Sequence, residues 1–204
     1  MIRLVSEEEP DVVALQEVPL WGLSRLAAWS GMRAFAAPTK RALLGPLAAR
    51  LQRLDATHVR SHLTGQANAL LVGPRLGASE AGIVQISRRG ERRVCQLLRL
   101  AAGERLLLVA NLHASAGDAV AARGELERTA ALVAGAEACA VLGDTNSPGA
   151  GLPDFSAPLS GIDQILVRGL DLVEGPALWP DVRRAVGGRH LSDHAPVEAV
   201  VSWT

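Results

Sequence analysis

Ser192-Asp193-His194-Ala195-Pro196-Val197 stands near the end of a 204-residue chain, directly ahead of the apolar run that closes it. A carboxylate and an imidazole at the mouth of a strand are held by the sheet yet stay within reach of water, which suits them to chemistry. With Ala195 left open and equal residue frequencies, the five fixed letters would arise by accident in fewer than about one chain in ten thousand. No other stretch of the sequence is as specific, so the remainder is read outward from it.

Four further stretches place acidic, amide or imidazole side chains at or just after apolar runs. They are Leu15-Gln16-Glu17-Val18, Asn111-Leu112-His113, Gly143-Asp144-Thr145-Asn146 and Ile162-Asp163-Gln164-Ile165. Taken singly, each has a bland reading: Glu17 caps a strand against solvent, and Asp144 and Asn146 stabilise a turn. Gly-Asp-x-Asn alone would turn up in roughly one chain in forty. Taken together, they are hard oxygen donors and imidazoles with no thiolate among them. That set suits Mg²⁺ or Mn²⁺ rather than structural zinc, and phosphoryl chemistry is the natural use of such an ion.

Composition narrows the setting. Lys+Arg and Asp+Glu are both 21, so no protein-wide positive field draws the chain to DNA or anionic membranes, and recognition of a polyanion must be local. The two cysteines, Cys95 and Cys139, lie in separate apolar stretches without zinc spacing and read as buried thiols. No apolar run reaches the roughly 18 residues of a membrane span, and the acidic start, with Glu7, Glu8 and Glu9, is unlike a signal peptide. A cytoplasmic protein without a membrane partner is the expectation, folded as one domain over residues 1–204.

The pattern along the chain mixes strands with few helices. Helix is expected before Pro10, over 21–29 and over 41–54, and as an amphipathic segment over 118–136 in which Asp118 caps and Val120, Leu126, Leu132 and Val133 are buried. Strands are expected over 12–15, 67–72, 84–86, 93–100, 105–112, 140–142, 163–167, 172–178 and 196–202, with a loop over 147–161. This reads as an α/β sandwich with its chemistry on one edge of the sheets. No Gly-x-Ser-x-Gly elbow, phosphate loop or Cys/His dyad competes. His58 and His62 have i, i+4 spacing but stand among residues that argue against a helix. His190 reads as a loop residue near the site, and Arg88, Arg89, Arg92 and Arg93 as a solvated turn. Trp21, Trp29, Trp179 and Trp203 read as packing residues.

The ordered set resembles the endonuclease/exonuclease/phosphatase superfamily, the DNase I-like phosphoesterases. Their pattern runs Asn, Gln-Glu, His, Gly-Asp-x-Asn, Asp and Ser-Asp-His; Gly65-Gln66-Ala67-Asn68 is similar to their Gly-Asn-Ala strand, with a structural role expected for Asn68. The resemblance implies a four-layer α/β sandwich, two packed mixed β-sheets flanked by helices, and a Mg²⁺- or Mn²⁺-assisted attack of water on a phosphoester. It implies Glu17 as the main metal ligand, with Asp193 supporting the metal or its water shell. Asp144 would deprotonate water and Asn146 would hold it. Asp163 would orient His194, and His113 would donate a hydrogen bond to the phosphate or protonate the leaving oxygen. Apurinic-site endonucleases of the superfamily use a tyrosine near the phosphate, and this sequence has none.

The resemblance also departs at one place. No asparagine precedes Glu17, and residues 1–10 are too few for both a strand and a helix of typical length. The expectation is therefore an N-terminally truncated version of the architecture whose strand edges favour self-association. Three readings stay open: a working phosphoesterase in which water replaces the amide ligand, a sequence that begins inside a longer natural chain, and a non-catalytic binding or scaffold domain. The substrate also stays open among nucleic acid, a lipid-derived phosphate and a small phosphoester cleaved as a mono- or diester.

Overall fold

The computed structural model describes residues 1–40 and 65–204. The expected helix over 41–54, and His58 and His62, lie outside the described residues. After a single turn of helix, α1 (Ile2–Val5), Pro10 breaks the chain and β1 (Val12–Pro19) begins. A 3₁₀ segment (Leu20–Arg25) leads into α2 (Leu26–Ser30), which ends on Gly31 in the left-handed region, φ 73°. Strands β2 (Arg33–Lys40) and β3 (Gln66–Val72) complete a three-stranded antiparallel sheet of order β1-β3-β2.

The next sheet has five strands: β4 (Gly77–Gln85), β5 (Val94–Ala102), β6 (Arg105–His113), β7 (Cys139–Asp144) and β8 (Asp163–Arg168), adjacent in that order. It is mixed, because β6 and β7 run parallel across the crossover helix α3 (Ala119–Leu132) while the other pairs are antiparallel. Strand β9 (Leu170–Leu178) pairs with β12 (Val197–Trp203) in a separate ribbon. Between them lie a short helix, α4 (Asp181–Arg184), and a small hairpin of β10 (Ala185–Val186) and β11 (Arg189–His190).

Strict alternation along the strands sorts the apolar side chains into three clusters, and these define four layers. Cys95, Leu97, Ala110, Leu112, Val141 and Leu166 face Ala122, Leu126 and Val133 of α3. Their alternates Leu98, Leu100 and Val109 meet Leu70 and Val72 of the opposite sheet. The far face of that sheet, through Ala69 and Leu71, packs with Leu26 of α2 and Ile2 of α1. Helix, sheet, sheet, helix is thus the stacking order, as the sandwich reading expected.

Two local readings are corrected. Val120 is 85% exposed rather than buried. The buried stripe of α3 is Ala122, Glu125, Leu126 and Thr129, and Val120, six residues before Leu126, falls on another face at 100° per residue. Strand β2 was absent from the expected set because Pro38 sits inside it. Proline is tolerated there because, among the described residues, β2 pairs only β3 and so lies at the sheet edge. The thiols of Cys95 and Cys139 are buried as expected, and burial pushes Cys95 up to about 12.

Candidate active site

The ends of β6, β7 and β8 line up. His113 is opposite Asp144, and Asp144 is opposite Asp163, so three separated stretches of sequence form one row across the sheet. The approach of β6 to β7 at this point requires Gly143. Its φ is 130°, and a Cβ there would lie 2.0 Å from the Leu112 carbonyl oxygen and 3.0 Å from Gln16 Nε2. The row continues into the loop before β12: His194 Nδ1 lies 2.8 Å from Asp163 Oδ2 and 3.1 Å from Oδ1.

Asn146 is locked onto the row. Its backbone N–H donates to Asp144 Oδ1 at 2.7 Å, and its Nδ2 donates to the Ala114 carbonyl at 2.9 Å and to Asp144 Oδ2 at 3.2 Å. The turn puts Asn146 in the left-handed region, φ 46°, which asparagine tolerates. On the far side of Ala114, the buried Glu125 carboxylate of α3 accepts from the Ser115 N–H and hydroxyl, pinning the loop that follows His113.

Glu17 reaches the site through a β-bulge. Val13, Leu15 and Val18 all pack on the helix side of the sheet, so one extra residue is accommodated between Leu15 and Val18, where the register shifts. Glu17 takes φ 55° in that bulge, and its Oε1 lies 4.0 Å from His113 Nδ1. Gln16 donates to Asn111 Oδ1 at 2.7 Å, and the Asn111 amide donates in turn to Leu15, Ala69 and Gln96. Asn68 is buried and donates to the Val94 carbonyl, in line with the structural role expected for it.

The electrostatics divide the row. Burial pushes the Asp144 carboxyl above its ordinary value; the Asn146 N–H opposes this, and the Asp163 charge adds to it. Burial, reinforced by the charges of Arg93 and His194, pushes His113 down to about 3. At His194, burial works against the charged form but is outweighed by the Asp163 hydrogen bond and the charges of Asp163, Asp144 and Asp193, so the imidazole titrates above its usual value. The two imidazoles are therefore shifted in opposite directions, His113 toward the neutral form and His194 toward the charged one.

Among the described residues, ligand atoms of Asp144, Asp163 and His194 lie within 4.8 Å of one another. His194 Nδ1 is engaged by Asp163, so this trio is a hydrogen-bonded carboxylate–imidazole pair beside a second carboxylate. Glu17 and Asp193 are exposed carboxylates flanking it, one through His113 and one next to His194 in the chain. The donors around the row are thus carboxylate oxygens with imidazole nitrogen beside them, and both thiols are buried on the α3 side, a set that fits Mg²⁺ or Mn²⁺.

His190 stands outside the row, exposed in β11 with Nε2 3.7 Å from Asp181. Arg93 is the residue that the sequence reading misplaced: it is buried, not solvated, and its Nη1 lies 3.1 Å from His113 Nδ1. The hairpin register offered a signal. Ala102 pairs Arg105 and Cys95 pairs Leu112, so residues just before Cys95 must meet those just after Leu112.

No protein-family model and no curated protein sequence matches the chain. Solved structures do. A functionally unknown conserved protein from Enterococcus faecalis V583 superposes with TM-score 0.75 at 17% identity over 100% of this chain and 89% of that one. D. rerio TDP2 complexed with single-strand DNA product gives 0.72 at 14% identity over 98% and 92%. The endonuclease/exonuclease/phosphatase from Bacteroides vulgatus gives 0.69 at 15% identity over 100% and 88%. With its four layers and this row of residues at the sheet edge, the chain has the endonuclease/exonuclease/phosphatase, or DNase I-like, fold.

Proposed function

We propose that the chain, acting as one domain over residues 1–204, is a divalent-metal-dependent phosphoesterase that hydrolyses phosphodiester bonds. The observation that carries this reading is the row His113–Asp144–Asp163 extended by His194, with Asn146 bonded to Asp144 through both its backbone and its side chain. It offers a base, a neutral donor, a cation and an amide around one space, the groups that attack of water on a phosphodiester requires.

Glu17 and Asp193 are the residues that would hold Mg²⁺ or Mn²⁺. A bound ion would supply polarisation of a phosphate oxygen and offset the charge that grows there. Asp144 takes the proton of the attacking water, a task for which its raised proton affinity makes it a better base than a free carboxylate. Asn146 Nδ2 is taken up by Ala114 and Asp144 and so fixes the base, which leaves its Oδ1 to hold that water by accepting from it. His194, whose charged form Asp163 favours, faces the phosphate charge, and His113 donates a hydrogen bond to an equatorial oxygen.

The substrate favoured is a phosphodiester of nucleic-acid type in single-stranded or short form. The D. rerio TDP2 complex with single-strand DNA product supports this class, and the zero net charge argues against long duplex DNA. Hydrolysis of a generic phosphodiester and of a single-stranded oligonucleotide in Mg²⁺ or Mn²⁺, stopped by EDTA and lost in Asp144→Ala, is the expected result. Turnover no higher than background with either ion overturns the reading.

Self-association belongs to the same proposal. Among the described residues, β1 pairs only β3 and β12 pairs only β9, and Val200 and Val201 of β12 are exposed. Such edges pair with another strand when one is offered. Light scattering over a range of concentrations should give a mass that rises with concentration.

A further inference from the structure

The arrangement around His113 contains a group that the phosphoesterase reading does not use. Arg93 immediately precedes β5, and its side chain is 10% exposed. Nη2 bonds Glu91 at 3.0 Å, Nη1 lies 3.1 Å from His113 Nδ1, and among the described residues Nε has no partner. Lys40 Nζ lies 3.4 Å from the same Glu91, so an ion chain runs from the surface to the buried imidazole. On the opposite side of the ring, His113 Nε2 faces Asp144 Oδ2 at 3.5 Å.

A guanidinium carries five N–H donors and no acceptor. An imidazole nitrogen bonded to it must offer its lone pair, so the ring hydrogen lies on the other nitrogen. Glu17, the competitor for the same nitrogen, would need an Nδ1–H, but it stands at 4.0 Å against 3.1 Å for Arg93. We infer that Arg93 is the positioning residue of His113: it holds the ring as the Nε2–H tautomer and aims that N–H at Asp144 and the space before it, making His113 a hydrogen-bond donor rather than an acid. The catalytic part of this rests on the phosphoesterase reading; the tautomer does not.

The direct test is a long-range ¹H–¹⁵N correlation spectrum of histidine-labelled protein near pH 7. His113→Asn identifies the His113 signals among those of the five histidines. The expected wild-type spectrum shows hydrogen on Nε2 alone. Arg93→Leu should give a mixture of tautomers, and Arg93→Lys, which keeps a cationic donor, should restore the single form. In parallel, kcat on the phosphodiester should fall about tenfold or more in Arg93→Leu, with KM changed by less than about threefold and partial rescue by Lys.

Hydrogen on Nδ1, or on both nitrogens, in the wild type overturns the inference whatever the variants do. So does an unchanged tautomer in a folded Arg93→Leu. If that variant fails to fold, the wild-type spectrum and Arg93→Lys decide. If the wild type shows no turnover, the phosphoesterase reading fails while the spectrum still decides the tautomer.

Discussion

The five-stranded sheet and two segments at its border, β1 of the facing sheet and the loop before β12, contribute to one site in different ways. From the sheet come His113, Asp144 and Asp163, adjacent in register and bonded to Asn146 and His194. From the borders come Glu17 and Asp193, both exposed, the first on a bulge and the second accepting, among the described residues, from the neighbouring Ser192 hydroxyl at 3.4 Å. The sheet region is preorganised by groups that have nowhere else to go. The border region keeps its carboxylates hydrated, which suits ligands for an ion that retains much of its own water.

Substitutions can break this contrast. The largest effect is expected from Asp144→Asn, which keeps the size and some hydrogen bonds but removes the base; phosphodiester turnover should drop roughly a thousandfold. A fall of less than tenfold would move the base to the border, with Glu17 the first suspect. Gly143→Ala tests the sheet side structurally. A Cβ 2.0 Å from the Leu112 oxygen forces β6 and β7 apart, and urea unfolding should show a loss of about 3 kcal/mol.

On the border, Glu17→Gln should weaken Mg²⁺ binding by about tenfold to a hundredfold in calorimetry. It should leave unfolding free energy within about 0.5 kcal/mol, because the side chain is exposed. Unchanged affinity would place the ion elsewhere in the row. The smallest effect concerns His194. Its raised value in the folded state means that its pairing with Asp163 adds stability below the ordinary histidine value, and that this is lost as pH rises through the raised one. In Asp163→Asn the His194 titration followed by NMR should move down, and that slope of stability with pH should flatten.

The strands and the short polar stretches at their ends were legible in the sequence because they depend on short-range rules, whereas the four layers and the grouping of the row were legible only through the family resemblance. Apolar runs bounded by turn signals assigned β3, β5 and β6 as strands, and the Gly-Asp-x-Asn and Ser-Asp-His stretches marked the end of β7 and the approach to β12. What was not legible depends on contacts between distant segments. Arg93 looked like one of four arginines in a turn, and only docking of the β5–β6 hairpin reveals that it meets His113. Val120 satisfied a loose helical pattern, yet the face of α3 that is buried is set by where the sheet lies, and that face includes Glu125 instead. Strand β2 was hidden by Pro38, a residue whose cost depends on edge or centre, which a local reading cannot distinguish.

The side chain of Asn111 ties together backbone or side-chain atoms of β1, β3 and β5, partners separated from it along the chain by 96, 42 and 15 residues. Bonds of such different span cannot close together early, since the longest loop carries the greatest entropy cost and needs both sheets already facing each other. Gln16, immediately before Glu17, joins through the same amide. Completion of the site is therefore expected late in folding, since Glu17 joins the row only once β1 has docked against β6.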